Sequence, residues 1–328
     1  MGERLMRLGI VGCGLIGQKR AAAAKGHDVA LVADLDAACA QALAAKTGAK
    51  VAGDWQALVA ADLDAVIVAT THDSLAPIAW AALEAGKHVL VEKPAGMNVD
   101  EVADLAAAAK KAGKVCKVGF NHRFHPAIWK AKQMVDEGAL GPLMFVRGRY
   151  GHGGRLGMEK EWRAIAELSG GGELIDQGSH LIDLSRWLLG DLQLAFAATP
   201  TLFWDMKVDD NCFLALKNGA GNIAWLHASW SEWKNMFSLE IYGRGGKLMI
   251  DGLGGSYGPE KLTWFKMPPQ MGPPETTVWD FSGADVSWDA EFADFADAIA
   301  ARRRATGDIE DALAMHKIIA AAYQGSQS

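Results

Sequence analysis

Residues 12–17 read Gly-Cys-Gly-Leu-Ile-Gly, and they follow directly on the apolar run Leu8 to Val11. A G-x-G-x-x-G motif between an apolar strand and a helix-forming segment is typical of a dinucleotide-binding turn. Gly12 permits the tight turn, Gly14 lets a pyrophosphate approach the backbone, and Gly17 lets the helix pack against the strand. The amino terminus of the helix then faces the phosphates. The predicted cofactor contacts in this stretch are Gly12, Gly14, Leu15, Ile16 and Gly17.

Apolar strand-like runs alternate with helix-like segments as far as residue 122. The strands are predicted at 8–11, 29–33, 65–70, 88–91 and 115–118, and the helices at 16–25, 37–46, up to 83, and 100–112. Strands that alternate with helices at this spacing indicate βαβ units and a parallel sheet. Residues 1–122 are therefore predicted to form a Rossmann domain, an α/β fold with a doubly wound parallel sheet.

The rest of the chain has a different pattern. A helical stretch at 127–137 precedes two hairpin signals, one around Asn218-Gly219-Ala220-Gly221 and one around Gly243-Arg244-Gly245-Gly246. Two helices at 289–301 and 309–323 close the chain. Residues 123–328 are therefore predicted to form an α+β domain with a mostly antiparallel open sheet. This domain is expected to bind the substrate and to mediate oligomerisation.

Composition narrows the class of protein. The 328 residues are 50% hydrophobic and 22% charged, which is ordinary for a soluble protein and long enough for two domains. A net charge of −6 gives no basic surface for nucleic acid. From the sequence we expect neither a signal peptide nor an apolar span of membrane-crossing length. The four cysteines are isolated from one another, so we expect a cytoplasmic protein that does not bind membranes.

The end of the second predicted strand suggests which dinucleotide binds. Asp34 stands there, and its carboxylate can accept hydrogen bonds from both ribose hydroxyls of an adenosine. A 2′-phosphate would meet this negative charge, and neither Leu35 nor Asp36 offsets it. We therefore expect NAD rather than NADP. Thr70 and Thr71 follow the third strand and either touch the cofactor or serve as turn residues.

Three further residues have the chemistry of proton transfer. Lys93 follows the strand 88–91, where its ammonium could hydrogen-bond a substrate hydroxyl and stabilise a developing alkoxide. Asp176 and His180 lie four residues apart, and Asp183 continues the same helical face. An imidazole beside a carboxylate can accept a proton near neutral pH. No third ligand accompanies this pair, so no metal site is predicted.

The order of these motifs resembles the Gfo/Idh/MocA family of oxidoreductases. The resemblance rests on the glycine fingerprint and on residues 85–94, which end in Glu-Lys-Pro. Residues 119–124, Gly-Phe-Asn-His-Arg-Phe, and residues 170–183 complete it. It covers nearly the whole chain, and it implies that Lys93, Asp176 and His180 are catalytic, with His180 as the proton acceptor. One difference is Leu75, where the family often has a histidine at a position that is not catalytic.

The resemblance also implies roles for neighbouring residues. Glu92 and Pro94 would line the nicotinamide side, and Asn121 would lie near the cofactor. The residues expected to contact the substrate are Lys93, Arg123, Trp162, Arg163, Asp176 and His180. For Arg163, a surface ion pair is an equally good interpretation. Lys93, Asp176 and His180 are expected to converge at the face of the nicotinamide ring.

The sequence therefore predicts an NAD-dependent dehydrogenase. The expected substrate is a secondary hydroxyl of a sugar, a cyclitol or a sugar nucleotide, or the corresponding ketone. A redox-assisted glycosidase or lyase that retains NAD is an alternative, and a non-catalytic NAD-sensing regulator is another. An exposed sheet face needs cover, so a homodimer or homotetramer through the carboxyl-terminal sheet is expected. The sequence does not select one substrate.

Overall fold

The chain divides into two compact units in the computed structural model, which describes residues 5–325. The first unit combines the chain up to Phe120 with Trp288–His316. The second combines Asn121–Ser287 with the chain from Lys317 onward. The domain division predicted at 122/123 stays a prediction, and the first compact unit also includes the later segment Trp288–His316.

A parallel six-stranded sheet forms the centre of the first unit, in the strand order β3-β2-β1-β4-β5-β6. The strands are β1 Arg7–Val11, β2 Asp28–Ala33, β3 Lys50–Val51, β4 Ala65–Val68, β5 His88–Val91 and β6 Cys116–Val118. The helices are α1 Leu15–Ala23, α2 Ala37–Thr47, α3 Trp55–Ala60, α4 His72–Glu84 and α5 Val99–Ala112. The order reverses between β1 and β4, so the carboxyl ends of these two neighbours form the switch point where such sheets bind ligands. The predicted Rossmann fold is confirmed.

A mostly antiparallel eight-stranded sheet forms the second unit, in the order β14-β13-β12-β11-β7-β10-β9-β8. The strands are β7 Leu143–Gly151, β8 Gln193–Ala198, β9 Asn211–Lys217, β10 Ile223–Ser229, β11 Met236–Gly243, β12 Gly246–Asp251, β13 Lys261–Lys266 and β14 Glu275–Asp280. The helices are α6 Pro126–Asp136, α7 Ala166–Ser169 and α8 Ser179–Leu189. Only the central pair of β7 and β10 is parallel among the described strands of this sheet. Both predicted hairpins are present, as β9–β10 and β11–β12.

Two helices end the described chain, α9 Ser287–Ala301 and α10 Ile309–Gly325. Phe292 and Phe295 of α9 are buried in the same apolar cluster as Leu8 and Ile10 of β1. This packing explains why the segment from residue 288 belongs to the first unit. Across residues 5–325, every helix is too short or too polar to span a bilayer.

A buried ion network connects α9 to the Rossmann core. The guanidinium of Arg20 in α1 is fully buried and donates to Glu92 over 2.6 Å and to Glu291 over 2.5 Å. Burial raises the pKa of Glu291, and the charge of Arg20 opposes that shift. Lys117 in β6 is also fully buried and lies 2.9 Å from Asp294 of α9. These bonds join residues that are far apart in the sequence.

Replacing Arg20 by Met should destabilise the protein strongly, because two buried carboxylates lose their cation. We expect the free energy of unfolding to fall by about 3–5 kcal/mol, as for other broken buried pairs. Arg7→Met is the control, because Arg7 forms an exposed ion pair with Asp62. This substitution should lower the free energy of unfolding by under about 1 kcal/mol. Urea denaturation measures both. Equal losses in the two variants would contradict the structural role of Arg20.

Candidate active site

The three glycines of the fingerprint do not all serve the same purpose. Gly12 has φ +91°, and a Cβ atom there would lie 2.3 Å from the carbonyl oxygen of Ala69, just beyond β4. A Cβ atom at Gly17 would lie 1.9 Å from the carbonyl oxygen of Gly12. At Gly14, by contrast, a Cβ atom would meet nothing within 4 Å among the described residues. Gly12 and Gly17 are therefore fixed by packing, whereas Gly14 leaves open the space that a pyrophosphate needs.

The helices at the switch point have uncapped amino termini. Asp36, Asp54 and Asn98 each accept a hydrogen bond from the first turn of α2, α3 and α5. Within residues 5–325, neither Gly14 before α1 nor Thr71 before α4 provides such a side-chain cap. Since first-turn N–H groups bind anions, these two helix ends can donate to the phosphates of a dinucleotide.

Asp34 is held at the entrance of the glycine turn. One carboxylate oxygen accepts from the backbone N–H of Cys13 over 2.5 Å, and the other accepts from Asp36 over 2.8 Å. This carboxylate stands where the Rossmann fold places its ribose-binding acid. Thr71 donates to Asp73 over 2.6 Å, and Thr70 donates to the carbonyl oxygen of Thr71 over 3.2 Å. Their contact with the cofactor stays a prediction.

Gly14→Ala and Gly17→Ala should separate cofactor binding from folding. Alanine at Gly14 meets no protein atom, so we expect the Tm to stay within about 2 °C of wild type while the Kd for NAD rises at least about tenfold. Alanine at Gly17 clashes with the backbone and should lower the Tm markedly. Thermal unfolding and calorimetric titration with NAD measure the two effects. Wild-type affinity in the Gly14 variant would contradict this position for the pyrophosphate.

Lys93 lies between two anchored neighbours in the first unit. Glu92 is buried against Arg20, and the carbonyl oxygen of Pro94 accepts a hydrogen bond of 2.8 Å from Nε2 of His316 in α10. A Cβ atom at Gly119 would lie 2.6 Å from the Arg20 guanidinium, which explains the glycine there. The carboxylate of Glu92 is bound to Arg20, and the cofactor contact that the resemblance implied for Glu92 stays a prediction. The predicted contact for Pro94 stays a prediction.

Burial lowers the pKa of His316 to about 4, and its bond to Pro94 opposes the shift. The folded protein therefore holds this imidazole neutral, whereas the unfolded chain protonates it near its ordinary pKa of about 6.5. The resulting stabilisation is fully present above pH 6.5 and is lost as the pH falls towards 4.

His316→Gln should flatten the pH dependence of stability, because the amide still donates to Pro94 and does not titrate. Between pH 7 and pH 4, wild type should lose about 3 kcal/mol more unfolding free energy than this variant. Urea denaturation across this range gives both curves. Parallel curves would show that His316 is not held neutral by the fold.

The second unit builds a helical support for Asp176 and His180. Residues Leu174–Gly178 form a π-helical turn that continues into α8, so Asp176 lies in the turn and His180 in the helix. The carboxylate of Asp209 accepts from the N–H groups of Gly172 and Leu174 over 3.0 and 2.8 Å. A Cβ atom at Gly172 would lie 1.9 Å from the carbonyl oxygen of Asp209. The glycines before the turn thus permit the close backbone contact that starts it.

Asp176 has a cationic partner in the same unit. Its Oδ2 accepts from Nε of Arg163 over 3.1 Å, and the Arg163 guanidinium lies 4.4 Å from the centre of the Trp162 ring. Arg163 thus forms an ion pair, which was one of its two interpretations from the sequence. Its partner, Asp176, is a candidate catalytic residue. Substrate contacts for Trp162 and Arg163 stay predictions. Within residues 5–325, no group of three or more His, Cys, Asp or Glu side chains is arranged to hold a metal ion.

His180 is enclosed by aromatic rings. The imidazole of His122 stacks on it with ring centres 3.6 Å apart and an interplanar angle of 18°. The ring of Tyr150 in β7 meets the His180 ring edge-on, with ring centres 6.3 Å apart. The Tyr150 ring also meets the Tyr257 ring edge-on, with centres 4.8 Å apart. Burial raises the pKa of Tyr150 well above its usual range, so its hydroxyl stays protonated. Gln177 in the π-helical turn donates to Tyr257 over 3.1 Å.

Arg123 and Asn121 both have buried hydrogen-bond partners in the second unit. The guanidinium of Arg123 is buried and makes two bonds to Asp183, of 2.8 and 2.6 Å. This bidentate pair fixes the Asn121–Phe124 turn to α8, and the predicted substrate contact of Arg123 stays a prediction. Asn121 is buried and donates to Ser287 over 3.1 Å. Its predicted cofactor contact stays a prediction.

The sequence reasoning missed several supporting residues. Asp209 and Tyr323 have no motif of their own that would mark them, and His122 lies in the quoted 119–124 motif without an assigned role. Tyr323 donates to Asp209 over 2.9 Å, which helps to hold the start of the π-helical turn. Two adjacent acidic residues, Asp209 and Asp210, precede an apolar strand. This pair was the signal in the sequence that could have marked Asp209 as a supporting residue. Lys93 belongs to the first unit and Asp176 and His180 to the second, and their convergence stays a prediction.

Two family models match the chain. The model for an oxidoreductase family with an NAD-binding Rossmann fold, GFO_IDH_MocA, matches residues 6–120. The model for a GFO/IDH/MocA carboxyl-terminal domain matches residues 128–249. These ranges correspond to the two folds described above.

Three curated relatives are dehydrogenases. Levoglucosan dehydrogenase of Pseudarthrobacter phenanthrenivorans is 34% identical over 151 residues, 45% of this chain and 39% of the relative. Inositol 2-dehydrogenase 2 of Saccharopolyspora erythraea is 31% identical over 226 residues, 66% and 64% of the two chains. D-glucoside 3-dehydrogenase of Escherichia coli is 32% identical over 255 residues, 69% and 70% of the two chains. The matched segments thus cover less than two thirds of the first two relatives.

Solved structures share the fold along the whole chain. Levoglucosan dehydrogenase in complex with NADH and L-sorbose superposes with a TM-score of 0.88 at 22% identity, covering 99% of this chain and 97% of that one. GenD2 from gentamicin A biosynthesis, in complex with NAD, superposes with a TM-score of 0.85 at 27% identity, covering 100% and 95%. The first likeness shows the fold alone.

Proposed function

We propose that this chain, which belongs to the Gfo/Idh/MocA family of oxidoreductases, is an NAD-dependent dehydrogenase acting on CH–OH groups. Its substrate would be a secondary alcohol of a sugar, a cyclitol or a sugar nucleotide, or the corresponding ketone in the reverse direction. The observation that carries the proposal is the pair Asp176–His180, fixed on a supported helix in a chain with a complete dinucleotide fingerprint. The relatives are named for levoglucosan, inositol and D-glucoside, which supports a polyhydroxylated substrate.

Each proposed catalytic residue has one task in the oxidation. NAD, when bound, would accept the hydride, with its electron pair, from the substrate carbon. Lys93 would donate a hydrogen bond to the substrate oxygen and stabilise its negative charge as the O–H bond breaks. His180 would take the hydroxyl proton. Loss of the hydride and of this proton would convert the secondary alcohol into a ketone. Asp176 would add a negative charge near the imidazolium that forms.

We propose NAD as the cofactor in preference to NADP. The fixed carboxylate of Asp34 would bond the ribose hydroxyls and repel a 2′-phosphate. The open space at Gly14 and the uncapped starts of α1 and α4 would hold the pyrophosphate. The residues present therefore fit a dinucleotide without a phosphorylated ribose.

A homodimer or homotetramer through the eight-stranded sheet is part of the proposal. Phe196 of β8 and Ile223 and Trp225 of β10 are 50%, 48% and 51% exposed in the single chain. A second copy would cover this apolar surface. The cytoplasmic location stays a prediction from the isolated cysteines.

Lys93→Met and His180→Asn should each lower kcat by about 10²- to 10⁴-fold, as expected when acid–base catalysis is lost. The Kd for NAD should change little in His180→Asn, because that residue is proposed to act on the substrate. Lys110→Met and His27→Asn are the controls, since Lys110 is exposed on α5 and His27 packs edge-on against Phe292. Stopped-flow NADH fluorescence with a panel of sugars and cyclitols gives the rates.

The wild-type assay separates the alternatives. A dehydrogenase releases one NADH per substrate oxidised, and kcat/KM should be higher with NAD than with NADP. Substrate consumption without NADH release would favour the glycosidase or lyase. NAD binding without turnover of any panel member would favour a regulator. Full activity in both Lys93→Met and His180→Asn would reject the catalytic assignment.

A further inference from the structure

The imidazole of His122 has an orientation that hydrogen bonds determine. Ser287 Oγ donates to the carboxylate of Asp285 over 2.6 Å, because a carboxylate can only accept. Ser287 Oγ therefore accepts from Asn121 Nδ2, 3.1 Å away, and this turns the Asn121 carbonyl oxygen towards His122. Nδ1 of His122 lies 3.1 Å from that oxygen. Since the oxygen can only accept, His122 carries a proton on Nδ1.

The His122 ring, which these hydrogen bonds orient, is stacked on His180, the proposed proton acceptor. The His122 and His180 ring centres are 3.6 Å apart, and their planes differ by 18°. Both side chains are buried, at 6% and 5% exposure, so neither ring can turn freely. Tyr150 and Phe237 meet His122 edge-on at 5.2 and 6.1 Å and close its outer side. His122 thus presents a fixed aromatic face to His180.

We propose that His122 is a positioning residue for the proton acceptor His180. The Nδ1-protonated ring of His122 holds the plane of His180 by stacking, and its π face stabilises the imidazolium that His180 becomes when it takes a proton. Attraction between an aromatic face and a cation supplies this second effect. The inference rests on the proposed function, because it gives His180 the task of accepting the substrate proton.

Two nearly isosteric variants distinguish an aromatic face from simple space filling. His122→Phe keeps a flat aromatic ring on His180, whereas His122→Leu keeps apolar volume without a π system. We expect kcat to fall less than about 3-fold in the Phe variant and about 10-fold or more in the Leu variant, the size of a buried cation–π contact. KM for NAD should stay near wild type in both. His27→Leu is the control and should keep wild-type kcat.

A second measurement does not depend on turnover. Nitrogen-15 NMR of histidine-labelled protein should show His122 with a protonated Nδ1 at neutral pH. Ser287→Ala breaks the chain of bonds to Asp285 and should abolish this single tautomer, while Asp285→Asn, which can still accept, should keep it. Thermal unfolding of each variant verifies that it is folded.

The outcomes separate this inference from the proposed function. Equal kcat in the Phe and Leu variants, or an Nε2–H tautomer in wild type, would overturn the role of His122. A wild-type protein without dehydrogenase activity would instead contradict the proposed function. The NMR result would still establish whether the tautomer of His122 is fixed. A larger loss in Leu than in Phe, with the Nδ1–H tautomer, supports the inference.

Discussion

The ion network around Arg20 is the constraint on which the first unit depends. Its guanidinium is fully buried and bonds Glu92 at the end of β5 and Glu291 in α9. Arg20 itself lies in α1, the helix that the glycine turn begins. One cation therefore ties together the helix of the cofactor turn, the segment that presents Lys93, and the returning carboxyl-terminal helix. A buried charge is tolerated here because two carboxylates surround it.

The second unit uses the same strategy with different groups. Asp209 holds the start of the π-helical turn, and Arg123 holds α8 through Asp183. Between these two supports lie Asp176 and His180. Buried polar groups that satisfy one another fix a single geometry, since any rearrangement would leave one of them unpaired in a low-dielectric interior. The candidate catalytic pair is therefore carried by a rigid part of the chain.

Local patterns made the Rossmann domain predictable. Gly12, Gly14 and Gly17 and the apolar runs of β1, β2, β4 and β5 depend on neighbours in the sequence, and the structure confirms them. The hairpins β9–β10 and β11–β12 were predictable because the first turn contains asparagine and glycine and the second contains glycine. Strands β7, β8, β13 and β14 lack such local signals. Their positions depend on the arrangement of the other strands in the sheet.

The roles of charged residues were less predictable. Glu92 and Arg123 were expected to touch ligands, which stays a prediction, and each also has a buried partner that is remote in sequence. The return of α9 to the first unit depends on Phe292 and Phe295 packing against β1, which no local pattern reveals. A charged side chain in a motif shows that a position matters, but only the fold shows what it contacts.

The parallel pairing of β7 with β10 has a consequence for how the protein folds. These central strands lie far apart in the sequence, and the connection between them contains Arg163, Asp176 and His180. Contacts between distant segments form slowly, because the intervening chain must lose conformational freedom before the contact stabilises it. The connection that contains the candidate catalytic pair is closed only when the middle of the sheet assembles. A chain interrupted during synthesis before residue 223 would thus contain the glycine turn, while the segment with Asp176 and His180 would still lack the strand that closes it.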